Sequence, residues 1–419
     1  MVTKVDEFQR LRLAAGDVFS PSAPIDERDL FAGRRDHLSK VIDIINQRGQ
    51  HAIIFGERGV GKTSLANVLA PWLESLGKTV VAPRINCDGS DTFVSVWRKA
   101  LTEFQASREI RMAGFQGAVT VETQSLSEAI SRTTNPDQIR RILTSLASDS
   151  ILIIIFDEFD RLAKTNVTKL FADTIKALSD HSVRATLVLV GVADSVDQLI
   201  SEHRSVERAL IQIHMERMSH GELRSIVQNG VSRLAMNIDE DALMQIVNLS
   251  QGLPHYTHLL GLHACRVALR RQSKEIEPQD MEGAIKEAVA GAQQTVQQAY
   301  QLATMSPRKD NLYADVLLAC ALAPTDEFGF FAAADLRDPL RRITGKNYDI
   351  PNYAQHLANF CEEDRGPVLD RRGKKRRFRF RFSNALVQPF IVLKGYSDGK
   401  SARLLDAQPA IIHSAEMKK

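Results

Sequence analysis

Cysteine is scarce in this chain. The four present, Cys87, Cys265, Cys320 and Cys361, are scattered and form no C-x-x-C pair. No zinc or redox motif follows from that spacing, and reduced thiols in a cytosol are the simple reading. Long apolar runs are also missing. The longest, Ile151 to Phe156, suits a buried strand and falls far short of a membrane span. The N-terminal MVTKVDEFQRLRLAAGD is too charged for a signal peptide. Charge of one sign is lacking too: 54 Lys and Arg against 51 Asp and Glu leave a formal net charge of +3. The molecule as a whole is therefore not a polycation, and any affinity for nucleic acid must come from a local patch. The apolar share of 44% and charged share of 25% are those of an ordinary soluble protein, and 419 residues suffice for two or three domains.

What is present begins with Gly56-Glu57-Arg58-Gly59-Val60-Gly61-Lys62-Thr63, which fits G-x-x-x-x-G-K-[ST]. Upstream, Ala52-Ile53-Ile54-Phe55 reads as a buried strand; downstream, Ser64 to Ala70 reads as a helix. The motif needs that context of strand, glycine turn and helix. Glycines let backbone N–H groups curl around phosphate oxygens. The following helix points its positive end at the same anion. Lys62 reaches the outer phosphates, and the Thr63 hydroxyl is a ligand for Mg²⁺. Residues 56–64, through Ser64, form the expected ATP site.

Further along, Ile151 to Phe156 ends in Asp157-Glu158. Acids at the carboxyl end of a parallel strand lie at the crevice where ligands bind. Asp157 is expected to hold Mg²⁺, directly or through water, and Glu158 to activate a water for attack on the γ-phosphate. Ala185 to Gly191 is another buried strand, followed by Asp194 and Ser195, candidates either for phosphate contact or for a helix N-cap. Arg204 and Arg208 precede Ile211-Gln212-Ile213; a cation there serves either as an arginine finger to a neighbouring subunit or as part of a solvated face.

The rest of the chain sorts into five segments. Residues 1–30 read as an irregular arm, broken by Pro21 and Pro24. Residues 31–218 alternate strands with helices, including a second strand from Thr79 toward Cys87, a helix from Thr92 to Phe104 and one starting at Asn135-Pro136-Asp137. Residues 219–304 read as helices only. Residues 307–396 form a small mixed domain with helices near Leu312–Leu322, Phe331–Leu336 and Pro351–Cys361, a hairpin near Val368–Phe382 and a last helix from Ser383. Residues 397–419 are a polar tail.

The order of parts resembles an AAA+ ATPase of the origin-recognition and replication-initiator type. The parts are Phe31-Ala-Gly-Arg34, GERGVGKT at 56–63, Ile85-Asn86-Cys87, IIIFDEFDRL at 153–162, Gly191-Val-Ala-Asp194 and an arginine at 204. The resemblance spans residues 25–395 and implies an α/β P-loop core with a parallel doubly wound sheet, an all-α lid and a C-terminal winged helix. It places Asp194 at the usual sensor-1 asparagine and Arg204 at the finger. Aspartate is a departure, since an anion beside a γ-phosphate is unfavourable. The lid departs again: Gly252-Leu253-Pro254-His255-Tyr256-Thr257-His258 carries no sensor-2 arginine. Its Gly-x-Pro turn resembles the signal-transduction (STAND) branch of P-loop ATPases, where the proline lies near the nucleotide base, so Pro254 joins the candidate site. His255 and His258 are candidates for phosphate contact or plain residues of a helix start. Without the arginine, slow turnover is expected.

The segment Asp370 to Phe382 alternates cations and phenylalanines. Phe378, Phe380 and Phe382 take one face of a strand, and Arg377, Arg379 and Arg381 the other. Arg371, Arg372, Lys374, Lys375, Arg376, Arg377 and Arg379 are the candidate phosphate contacts of a DNA-binding wing. Tyr353 to Phe360 would be its recognition helix, offering Gln355, His356 and Asn359. The alternative is a contact with an acidic protein surface.

These readings converge on a cytoplasmic ATPase that uses ATP and Mg²⁺ to couple nucleotide state to DNA engagement, with possible homo-oligomers placing Arg204 or Arg208 in trans and no membrane partner. Two alternatives stand beside it: a STAND-like signalling or defence switch that binds an effector protein, and a helper ATPase that recruits a transposase or nuclease.

Overall fold

The computed structural model describes residues 4–21, 34–113, 130–131, 133–147, 151–162, 165–192, 206–307, 311–374 and 377–400. Among them, no helix is long and apolar enough to cross a membrane. The chain divides into two compact units. One holds Pro24–Glu57 and Gly61–Met215; the other holds Met1–Ala23, Arg58–Val60 and Glu216–Lys419, and so includes the first helix, α1 (Lys4–Val18).

In the first of these units a parallel sheet positions the site. Its strands are β1 (His51–Phe55), β2 (Val80–Val81), β3 (Arg84–Asn86), β4 (Ile151–Asp157), β5 (Ala185–Gly191) and β6 (Leu210–His214). They lie in the order β2-β4-β5-β1-β6, with β3 also paired to β4. Every pair is parallel. β4 and β5 are buried nearly throughout, which is why they read in the sequence as continuous apolar runs rather than alternating ones. The single strand expected from Thr79 onward is instead two, because Pro83 lacks the N–H that a continuous ladder needs.

Helices flank the sheet: α2 (Arg35–Asn46), α3 (Lys62–Ser75), α4 (Phe93–Ala113), α5 (Pro136–Leu146) and α6 (Thr165–Asp180). α4 runs past Phe104, where its expected end lay, to Ala113. α5 starts on a reciprocal cap. Asn135 Oδ1 accepts the Gln138 N–H at 3.0 Å, Gln138 Oε1 accepts the Asn135 N–H at 3.0 Å, and Pro136 fills the first helical position. A cluster of aromatic rings lies in this core. The Phe171 ring lies 4.9 Å from Phe156, 5.1 Å from Phe159 and 5.6 Å from Phe93, each pair edge to face. Burying each such ring contributes about 1.5–3 kcal/mol.

The other unit is mostly helical. α7 (His220–Arg233), α8 (Glu240–Leu249), α9 (Pro254–Arg270), α10 (Pro278–Ala290) and α11 (Gln294–Thr304) follow one another. Helices alone were expected here. The structure adds a two-residue parallel pair, β7 (Asn237–Ile238) and β8 (Glu275–Ile276), where two extended approaches to helix caps lie side by side. The arm of residues 1–30 is not irregular throughout: α1 is a regular helix. Ala15 and the following Phe19 are fully buried, and the Phe19 ring fits over Gly230 and Gly261, where a Cβ at either position would overlap it.

The C-terminal section holds α12 (Tyr313–Leu322), β9 (Phe331–Ala332), α13 (Arg337–Thr344), α14 (Ile350–Asn359), β10 (Leu369–Arg372), β11 (Arg379–Phe382) and α15 (Val387–Gly395). The strands form an antiparallel sheet in the order β10-β11-β9. Phe331–Leu336, expected as a helix, begins as strand β9 and turns into a short 3-10 segment, and α13 beyond it was not expected. This section belongs to the same compact unit as α7–α11. Arg365 ties them: its guanidinium donates to the carbonyls of Ala303 and Met305 at 3.0 and 2.8 Å and lies over the Tyr313 ring. Of the polar tail, the description reaches Lys400, which pairs with Asp315.

Candidate functional site

The phosphate loop begins where β1 ends. Gly56 has to be glycine: a Cβ there would overlap the Met215 carbonyl oxygen. Gly59 and Gly61 take φ of 87° and 95°, a region that side chains avoid. Gly61 is also the cap of α3 and brings no side chain to the helix end. The first N–H groups of α3 therefore face outward with the positive end of the helix, as an anion requires. Lys62 Nζ donates to the carbonyls of Gly56 and Glu57 at 3.0 and 2.8 Å, which holds the ammonium within the loop.

Asp157 meets this loop from β4. Its Oδ2 accepts the Thr63 hydroxyl at 2.9 Å, and its Oδ1 accepts the Glu158 N–H at 2.9 Å. Thr63 and Asp157 thus form a pair of hard oxygen donors, the chemistry that suits Mg²⁺. Glu158 leaves the strand at φ 54°, a left-handed turn that side chains adopt at a cost of roughly 1–2 kcal/mol. That turn throws its carboxylate to the surface, where Oε2 pairs with Arg161 at 3.1 Å. The described residues of the expected site, from Gly56 to Ser64 with Asp157 and Glu158, therefore gather at the carboxyl ends of β1 and β4.

The family model for Novel STAND NTPase 1 matches residues 24–330, well over half of the chain. The chain belongs to this STAND NTPase family. A search of curated proteins finds no match. Among solved structures, this STAND NTPase is similar to the Walker-type ATPase of Pyrococcus abyssi. The two are 17% identical, the match covers 90% of this chain and 99% of that one, and the TM-score is 0.55. It is also similar to the ORC2 protein of Aeropyrum pernix in its ADPNP-ADP complexes, at 17% identity, with 92% and 98% of the two chains covered and a TM-score of 0.50. These likenesses show the fold alone: a parallel-sheet P-loop core shared with those two proteins.

Two further residues of this NTPase stand beside the acids of the site. Arg84, on β3, sends Nη2 to Asp157 Oδ2 at 2.9 Å and Nη1 to Asn67 Oδ1 at 2.8 Å. Asn86 Oδ1 lies 3.4 Å from the same Nη2. The signal was available: Arg84 and Asn86 share one face of a strand that pairs with the strand ending in Asp157. Arg161 is the second, three residues after Glu158 in a short 3-10 turn.

Other candidates fall elsewhere. Asp194, Ser195 and Arg204 lie outside the described residues, as do Lys375 and Arg376; Arg208 is exposed ahead of β6. In the second unit, Gly252 is required at its turn. It has φ 76°, and a Cβ would come within 2.7 Å of the Arg217 side chain. Pro254 then opens α9 at its first position. His255 Nδ1 lies 2.6 Å from the Pro21 carbonyl, and burial lowers its pKa. His258 stands edge-on to Phe19, its ring nitrogens have no hydrogen-bond partner among the described residues, and burial pushes its pKa down to about 4. Within their unit both histidines therefore serve the docking of the N-terminal segment. The cysteines are free. Burial pushes Cys87 and Cys265 up to about 12, so these thiols pack rather than react.

On the β10–β11 hairpin the expected alternation appears: Phe380 and Phe382 are buried, while Arg371, Arg372, Lys374, Arg377 and Arg379 are exposed. The charge is partly answered from within. Arg379 pairs with Asp326 at 3.1 Å, and Arg381 with Asp370 at 3.3 Å. Arg371 lies 4.6 Å from the Phe378 ring centroid. On α14, Gln355 donates to Asn359, which donates to the Tyr313 hydroxyl, at 2.8 and 2.7 Å.

Proposed function

We infer that this STAND NTPase is an ATP-driven switch that hydrolyses ATP slowly and couples its nucleotide state to DNA engagement by the C-terminal section. The observation that carries the nucleotide half is the 2.9 Å bond between Thr63 and Asp157 at the mouth of a glycine loop. The loop N–H groups and the Lys62 ammonium bind phosphate oxygens. Thr63 and Asp157 would hold Mg²⁺, which would neutralise phosphate charge. Glu158 acts as the general base that orients and deprotonates the attacking water, once its carboxylate turns from Arg161. By the resemblance of its Gly-x-Pro turn to other STAND proteins, Pro254 is assigned to the adenine ring of the nucleotide. Asp194 and Arg204 complete the proposed site as sensor and finger, the latter in trans within a homo-oligomer, with Arg208 as its substitute.

The DNA half rests on the C-terminal section, which we read as a winged helix with the β10–β11 hairpin as its wing. Arg371, Arg372, Lys374 and Arg377 supply exposed cations there, Lys375 and Arg376 add charge to the same stretch of sequence, and Arg379 is committed to Asp326 and contributes less. Cations on a hairpin neutralise phosphates and displace counterions. A cytoplasmic location fits the free thiols, three of which are buried. The second reading, a signalling switch whose C-terminal section binds a protein, is favoured by the STAND family itself and by the internal pairing of Arg379 and Arg381. Lys62→Ala tests the nucleotide half: it is expected to abolish binding of fluorescent mant-ATP, and wild-type affinity in that variant would remove the site assignment. Replacing Lys374, Lys375, Arg376 and Arg377 by Ala tests the other half. Duplex DNA binding should weaken and its salt dependence flatten; unchanged DNA affinity moves the reading to the protein partner.

A further inference from the structure

Arg84 stands out because it makes a strong bond to the one oxygen the site needs. Asp157 is 3% exposed, and both of its oxygens are engaged. Oδ1 takes the Glu158 N–H, while Oδ2 takes both the Thr63 hydroxyl and the Arg84 guanidinium, each at 2.9 Å. The guanidinium is not a loose surface cation. Asn67, one turn into α3, fixes its other terminal nitrogen at 2.8 Å, and Asn86 flanks it on β3. The fixed positive charge therefore sits on the same carboxylate oxygen as the Thr63 hydroxyl, beside the donor pair for a divalent cation.

A cation so placed has two effects. It offsets phosphate charge when no metal accompanies the nucleotide, and it repels a metal that approaches Asp157. Both effects reduce the advantage that Mg²⁺ gives to nucleotide binding. We propose that Arg84 is a positioning residue that acts as a built-in counter-ion at the metal site and sets how strongly nucleotide binding depends on Mg²⁺. The inference rests on the nucleotide reading above and adds to it a residue and a property.

The test is a titration of the full chain with mant-ATP, once in MgCl₂ and once in EDTA. The readout is the dissociation constant in EDTA divided by that in MgCl₂, which requires no turnover. Arg84→Gln is expected to raise that ratio on the order of tenfold. Arg84→Lys keeps the charge and is expected to hold the ratio near wild type. Asn67→Ala frees the guanidinium from its anchor and is expected to raise the ratio by a smaller factor; it decides the matter if Arg84→Gln does not fold. An unchanged or lowered ratio in folded Arg84→Gln overturns the inference while leaving the nucleotide site intact. A wild-type chain that binds no mant-ATP in either buffer overturns the nucleotide reading and this inference with it.

Discussion

The backbone N–H of Glu158 donates to Oδ1 of its neighbour Asp157 at 2.9 Å, so the two adjacent acids are held in different roles. Asp157 faces inward to Thr63, and Glu158 turns left-handed toward water and Arg161. A β-strand sends successive side chains to opposite faces, but here the chain leaves the strand between the two residues, and the backbone bond sets the angle.

Glu158→Gln should therefore separate binding from chemistry. The amide keeps the size of the side chain and removes the base. Mant-ATP affinity should stay within about threefold of wild type, while ATP turnover falls by roughly a hundredfold or more, the usual contribution of a general base. Phosphate release measured beside a binding titration checks both. Wild-type turnover in the variant would take Glu158 out of the reaction.

The nucleotide site was legible because its chemistry is local. A glycine loop needs its own residues in order, and the acids follow their strand directly. Arg84 was not legible in the same way, since its partners Asn67 and Asp157 are brought to it only by α3 and by the pairing of β3 with β4. The N-terminal helix is hidden from the sequence for a related reason. Pro21 and Pro24 mark the end of the segment as irregular, yet Phe19 is ordered by Gly230 and Gly261, more than two hundred residues away, which no local pattern encodes. Phe331–Leu336 failed differently. Its apolar residues fit a short helix, but Phe331 pairs with Phe380 across the sheet, and tertiary pairing overrides propensity in short segments.

Stability should fall with acid through buried neutral histidines. His51 on β1 is fully buried, its Nδ1 accepts the Leu187 N–H at 3.0 Å, and burial pushes its pKa down to about 4 from an ordinary value of 6.5. As pH drops below 6.5 the unfolded chain takes up the proton and the folded chain does not. The contribution is thus intact above pH 6.5 and is lost progressively down to about pH 4, on the order of 3 kcal/mol in all. His258 adds a loss of the same sign. Urea midpoints measured between pH 7 and 4 should decline, and His51→Asn, which keeps an acceptor but cannot be protonated in this range, should give a shallower decline. An equal slope in the variant would assign the pH dependence elsewhere.

The seat of Phe19 can be tested by a double-mutant cycle. Phe19→Ala should destabilise the chain by roughly 3–5 kcal/mol through the cavity it leaves. Gly230→Ala should destabilise the wild type, because its Cβ meets the ring, and cost much less in the Phe19→Ala background. Additive effects of the two substitutions on the denaturant midpoint would place Phe19 away from Gly230.

The central claim is that nucleotide state and DNA engagement are coupled in one chain. The direct measurement is fluorescence anisotropy of a labelled DNA duplex titrated with full-length Glu158→Gln protein at fixed salt, with ATP and Mg²⁺, with ADP and Mg²⁺, and with no nucleotide. Coupling free energies of this kind correspond to roughly 5- to 150-fold in affinity, and the account predicts that DNA affinity in ATP differs from that in ADP by a factor in this range. Equal affinity in all three conditions, or no DNA binding in any, would contradict it.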